Sequence, residues 1–248
     1  MKRRDALVIF GAMGGAIAIP PILRRIPSDF NFEPLRGFEG FRSMSGGAVS
    51  GGVDPFFGLS AASDEAPTVA TDPKISPCFE LFGPTGWPDE RVPVAIFSDF
   101  NCPYCKVLER NLINLRDSGA PIRLIWHEMP LLGPSSTRYA QAVLAAGFLG
   151  KSDKARRLLN ESPLRPGPVA LRQLAQKLEL PEDMFLREVH GERVERAMKR
   201  SLSLGRRLGI PGTPGIVVGR TLVIGAISTP DLQKLIKIEG NELQSICV

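Results

Sequence analysis

Histidine and cysteine are scarce in this chain, with two histidines and four cysteines in 248 residues. His127 and His190 form no closely spaced pair, and Cys78 and Cys247 each stand alone. A structural zinc draws on two ligand pairs with short spacing, so it is disfavoured, and neither a resident metal nor a cofactor is expected. A broad excess of one charge is also missing. The formal charge is +5, but Lys2, Arg3, Arg4, Arg24 and Arg25 against Asp5 put +4 of it in residues 1–25, leaving +1 for the rest. That balance implies no nucleic-acid partner. Long apolar runs are absent as well. Ala6–Leu23 is uncharged, yet Pro20 and Pro21 confine its helix-compatible part to Ala6–Ile19, short of the roughly 20 residues that span a bilayer. Behind Lys2-Arg3-Arg4, residues 1–25 read as an export segment. Two forms stay open: a signal peptide with an Ala16-Ile17-Ala18 cleavage pattern, or a signal anchor flanked by Arg24-Arg25. Either way the folded part is expected outside the cytoplasm, in the periplasm or an equivalent space, where disulfides persist.

The remaining two cysteines form Cys102-Pro103-Tyr104-Cys105, directly after the apolar run Val92–Phe97 and before a helical pattern over Lys106–Arg116. Thiols three positions apart at a strand-to-helix turn lie on one side of the first helical turn, close enough to form a disulfide. Cys102 falls near the helix N-cap, where unpaired backbone N–H groups and the macrodipole favour negative charge. A thiolate forms more easily there, and the thiolate is the attacking species in thiol–disulfide exchange. Pro103 suits the first helical position, having no N–H to leave unpaired. Half of a zinc site and an inert disulfide are the plainer readings of the same four residues.

At 43% hydrophobic and 23% charged the chain has an ordinary globular composition. Residues 26–74 read as a Gly/Phe-rich linker without helical or strand periodicity. Six of the 13 phenylalanines fall in it, namely Phe30, Phe32, Phe38, Phe41, Phe56 and Phe57. Aromatics are scarce in solvated disorder, so a plain tether competes with docking onto the folded body, a partner or a membrane surface. One folded domain, residues 75–248, is expected to follow. Val92–Phe97 predicts a buried strand, a helix then runs to Ser118-Gly119, and Ile122–Trp126 predicts a parallel second strand. Ser135 or Ser136 can cap the next helix, and further helices follow from Pro168, Pro181 and Glu192. Gly215–Gly219 and Thr221–Gly225 predict a hairpin, and Pro230 opens a last helix. This order predicts an α/β, thioredoxin-like fold. The 84 residues between Glu128 and Thr213 exceed any single crossover, so a helical subdomain is inserted at about 130–208. Arg193, Arg196, Lys199, Arg200, Arg206 and Arg207 read as a solvated face.

Over residues 90–240 the chain resembles the DsbA family of extracytoplasmic thiol-disulfide oxidoreductases. The resemblance rests on Phe97-Ser98-Asp99-Phe100-Asn101-Cys102-Pro103-Tyr104-Cys105, on His127-Glu128-Met129-Pro130-Leu131-Leu132-Gly133, and on Leu208-Gly209-Ile210-Pro211-Gly212-Thr213-Pro214. It implies that Cys102 is the nucleophile and Cys105 the resolving thiol, with Pro103 and Tyr104 tuning the pair. Thr213-Pro214 is then the cis-proline loop beside the active-site disulfide. A cis X–Pro bond has no N–H and is expected to leave the backbone of Thr213 free to pair with an extended client peptide. The implied partners are cysteine-containing proteins and a membrane oxidase or reductase.

Two departures stand out. Gly215 replaces a larger residue after the proline, and Val94–Phe97 holds no acid. Asp99 and Glu128 are the nearby carboxylates, read first as solvated or capping groups, and His127 reads as a satisfied polar neighbour. In an oxidising compartment Cys78 and Cys247 are expected to form a structural disulfide pinning the two ends of the domain. Two rival functions are a tethered copper-handling protein using both thiolates and a non-catalytic binding module.

Overall fold

The computed structural model describes residues 30–51, 76–84, 90–161 and 168–242. Six strands form one mixed sheet: β1 (Phe32–Pro34), β2 (Arg42–Met44), β3 (Val92–Ser98), β4 (Ile122–Glu128), β5 (Gly215–Val218) and β6 (Thr221–Ile224), in the order β1-β2-β6-β5-β3-β4. β3 runs parallel to β4 and antiparallel to β5, which pairs antiparallel with β6. Every residue of β3 is buried, as its apolar run requires of a central strand. Pro93 is tolerated there because the ladder to β5 begins only at Val94, so its missing N–H costs no sheet bond.

The helices are α1 (Pro77–Phe82), α2 (Pro103–Asp117), α3 (Pro134–Phe148), α4 (Ser152–Glu161), α5 (Pro168–Leu178), α6 (Glu182–Val189), α7 (Glu192–Arg207) and α8 (Thr229–Asn241). Strand parity sorts them into layers. Val92, Val94, Ile96 and Ile122 face α2 and α8, meeting Leu108, Leu112, Leu232 and Leu235. Ala95, Phe97 and Val217 face the other way, toward Leu81 and Phe82 of α1 and Leu204 of α7. α3 to α7 wrap a separate core around Tyr139, Ala142, Leu174 and Phe185. Phe100, from the loop before the cysteines, inserts into that core and stacks on Tyr139 at 5.5 Å. The fold is thus α/β and thioredoxin-like, with a helical insertion bolted to the loop that carries the thiols.

Two sequence expectations need correction. The described part of the 26–74 tract, residues 30–51, is not a tether but part of the fold. β2 adds parallel to β6 on the side away from β5, β1 pairs back on β2, and Phe38 and Phe41 enter the sheet core edge-to-face at 6.2 Å. The buried carboxylate of Glu239 fixes the tract, accepting from Arg42 at 2.7 Å and from the Thr221 hydroxyl at 2.6 Å. Three-residue strands give too few alternations for periodicity to register, which is why the tract reads as linker. Phe56 and Phe57 lie outside the described residues. The second correction concerns α3, whose N-cap is Gly133 with Pro134 as its first residue, not Ser135 or Ser136.

Cys78 is buried in α1 and disulfide-bonded, and Cys247 lies outside the described residues. So do residues 1–25. Among the described residues no helix is long and apolar enough to cross a membrane.

Candidate active site

Cys102 is the N-cap of α2, with Pro103 in the first turn. Its Sγ accepts the Cys105 backbone N–H at 3.3 Å and lies 3.3 Å from the carbonyl oxygen of Thr213. Both sulfurs are thiols in this structure, buried to 0% and 1% exposure. The two differ sharply in acidity. Donation from the Cys105 thiol, opposed by burial and reinforced by the Ser50 side chain, the Cys105 backbone N–H and the Thr213 side chain, lowers Cys102 from 9.0 to about 5. Burial, aided by the neighbouring Cys102, raises Cys105 far above its ordinary value. The pair therefore holds one thiolate and one thiol at neutral pH.

The loop from β3 into α2 is held by Asp99. Its Oδ1 accepts from the Asn101 N–H (2.8 Å) and the Ser136 hydroxyl (2.6 Å), and its Oδ2 from the N–H groups of Leu131 (2.7 Å) and Leu132 (2.9 Å). Four donors on a buried carboxylate make it a clamp between the thiol loop and the start of the insertion. Pro103 and Tyr104 are the exposed residues of the motif, Tyr104 at 40% exposure, with exposed Val107 following on the same helix. The Thr213–Pro214 peptide is cis, which sets Thr213 against Cys102.

Glu128 does not stay at the surface as the sequence suggested. It is buried together with Glu109 and Arg156 beneath the thiol loop. Arg156 bonds Glu128, and donates to Glu109 at 3.2 Å, while its guanidinium lies 3.8 Å over the Trp126 ring. Ser98 and Asn160 complete the ring of donors to Glu109. One guanidinium serves two carboxylates, and burial pushes Glu128 up to about 7, with Arg156 opposing and Glu109 assisting the rise. The cluster ties β3, β4, α2 and α4 together. His127 projects to the opposite sheet face, stacking on Phe97 at 4.7 Å with a ring nitrogen 2.9 Å from the Leu81 carbonyl. Burial lowers its pKa, so it is neutral and structural.

Three participants escaped the sequence reading: Ser50, Glu109 and Arg156. Glu109 and Arg156 were readable in principle. Each falls on the apolar stripe of its helix, beside Leu108 and Leu112 in one case and Ala155 and Leu159 in the other. Ser50 carried no such signal. The expectation that the Thr213 backbone is free is also overturned, because Ser50 takes both its N–H and its C=O.

A thiolate–thiol pair at a helix N-terminus, facing a cis-proline in a thioredoxin-like sheet, defines an enzyme of the thiol-disulfide oxidoreductase class. Residues 93–237, more than half of the chain, match the DSBA-like thioredoxin domain family, and the chain belongs to that family. Residues 30–51 precede the matched stretch. A thioredoxin-like oxidoreductase from Silicibacter pomeroyi DSS-3 is 30% identical with a TM-score of 0.58, the likeness covering 64% of this chain and 95% of that one. The thiol-disulfide exchange protein α-DsbA2 from Wolbachia pipientis is 24% identical with a TM-score of 0.58, covering 64% and 90%. The catalytic domain of Proteus mirabilis ScsC is 24% identical with a TM-score of 0.52, covering 60% and 84%. The last two speak for the fold alone. No curated protein matches the chain.

Proposed function

We propose that this chain exchanges disulfides with cysteine-containing proteins outside the cytoplasm, using Cys102 as nucleophile and Cys105 as resolving thiol. The observation that carries the reading is the asymmetry of the pair: Cys102 lowered to about 5 at the N-cap of α2, Cys105 held protonated behind it. In the oxidising direction a client thiolate attacks the Cys102 sulfur of the Cys102–Cys105 disulfide, and Cys105 leaves with the electron pair and takes up a proton. A second client thiolate attacks the client sulfur of the mixed disulfide and expels Cys102 as a thiolate. An acidic Cys102 is a good leaving group, which favours that direction. Pro103, Tyr104, Thr213 and Pro214 shape the site around the sulfurs. The export segment in residues 1–25 supports the compartment, as does the likeness to a periplasmic thioredoxin-like protein from Salmonella enterica serovar Typhimurium. A membrane oxidase or reductase would reset the pair, and Cys247 is the partner we assign to Cys78.

Trapping tests the assigned roles. Incubated with a disulfide-bonded client, Cys105→Ala should accumulate a covalent adduct, because nothing resolves the mixed disulfide on Cys102. Cys102→Ala should accumulate none. Equal adduct from both variants on a non-reducing gel would contradict the assignment.

A further inference from the structure

The sulfur that must meet a client is fully covered, and part of its cover comes from the tract ahead of the matched family domain. After β2 the chain runs on as an extended segment across the ends of β6 and β5. The Ala226 N–H donates to Ala48 at 3.0 Å. The Ser50 N–H then donates to Thr213 at 2.7 Å, and the Thr213 N–H donates back to Ser50 at 2.8 Å, an antiparallel bridge. These are the two backbone groups through which an added strand would pair with the residue before the cis-proline. The approach is close enough to require glycine. A Cβ on Gly46 would collide with the Ile224 carbonyl and one on Gly47 with that of Ala226, while one on Gly212 would stand 2.9 Å from the Ser50 carbonyl. The Ser50 side chain is also among the groups that lower the Cys102 pKa.

We propose that Gly46–Gly51 is a built-in pseudosubstrate: an extended strand lying on the client-peptide edge, with the Ser50 side chain where a client cysteine would stand. Serine matches cysteine in shape but carries oxygen, so it can hydrogen-bond the attacking sulfur and cannot form a disulfide with it. The ligand class of the edge is then an extended peptide, antiparallel to Thr213, with small residues before its cysteine as in Gly46-Gly47-Ala48-Val49-Ser50. A client must displace the strap, so its apparent affinity is reduced by the fraction of molecules in which the strap is open. This inference rests on Cys102 being the exchange nucleophile.

Two arms test it in the full chain. The first places Ser50→Cys in a Cys105→Ala background and adds oxidised glutathione. Cys102 thiolate attacks glutathione disulfide, releasing one glutathione; the introduced thiol then attacks the Cys102 sulfur and releases the second, so two protein thiols are oxidised and one glutathione disulfide is reduced. Peptide mapping should find the 50–102 crosslink, whereas Val49→Cys, on the exposed side of the strand, should leave Cys102 glutathionylated. Glutathionylation without a crosslink in both would overturn the proposal.

The second arm expels the strap with Gly46→Val and Gly47→Val together, leaving Ser50 and both active-site thiols in place. With an unstructured two-cysteine peptide as client and oxidised glutathione as terminal oxidant, KM should fall by about fivefold or more at unchanged kcat. An unchanged or raised KM in a folded variant would overturn the proposal, and if the variant does not fold, the crosslink decides. Failure of the wild-type chain to oxidise any client would instead remove the functional reading, while the crosslink would still report on the strap.

Discussion

Titrated downward from about pH 9, the reduced protein should keep its ultraviolet thiolate absorbance until it disappears around pH 5. Removing Cys102 should abolish that transition, and removing Cys105 should shift it upward, because the Cys105 thiol is the largest of the donors that lower Cys102. The shift from 9.0 to about 5 is also a statement about stability. The folded value lies below the unfolded one, so the contribution is complete above about pH 9 and lost as pH falls through about 5. At pH 7 it amounts to about 3 kcal/mol for the reduced protein. The oxidised protein has no thiolate to stabilise. Denaturant unfolding should therefore find the reduced form gaining on the oxidised form between about pH 4 and pH 7. A transition near the ordinary thiol value, or parallel stability curves for the two forms, would remove the physical basis of the asymmetry.

Arg156→Met should destabilise the fold by about 3–5 kcal/mol, since it strands the buried carboxylates of Glu109 and Glu128 without their shared cation. The loss should grow with pH. Glu128 already has a folded value near 7, above its ordinary 4.5. Its contribution is thus present below about pH 4.5 and lost as pH rises through about 7, and removing Arg156 deepens that loss. Glu128→Gln, by contrast, removes the group that burial penalises and leaves Arg156 paired with Glu109, so it should cost little at neutral pH. Adding it to Arg156→Met should recover part of the stability. Urea midpoints at about pH 5 and pH 8 distinguish the cases. An Arg156→Met protein as stable as wild type would show that the cluster does not hold the insertion to the sheet, and a Glu128→Gln protein equally damaged would show that Glu128 is not the member that burial penalises.

Much of the site was legible because its chemistry is local. Cys102 to Cys105 occupy four consecutive positions at the start of the helix they open, and one cap rule places the sulfur against the amides. β3, β4, the hairpin and the inserted helices followed from runs long enough to show a period. What escaped depends on pairings distant in sequence. Arg42 meets Glu239 across 197 positions, and Ser50 meets Thr213 across 163. Glycines at 46 and 47 looked like spacer composition because only the folded neighbours Ile224 and Ala226 reveal the close approach they permit. Glu128 looked solvated because its counter-charge, Arg156, arrives from the insertion.

The pH dependence of the reduction potential of the Cys102–Cys105 pair tests the central claim most directly. Reduction takes two electrons, and each accompanying proton contributes about 30 mV per pH unit. With Cys102 a thiolate and Cys105 a thiol, one proton is taken up, so the potential should fall by about 30 mV per unit between about pH 6 and pH 8 in glutathione buffers. A slope of about 60 mV per unit over that range would mean both sulfurs are protonated, and Cys102 would not be the nucleophile described here.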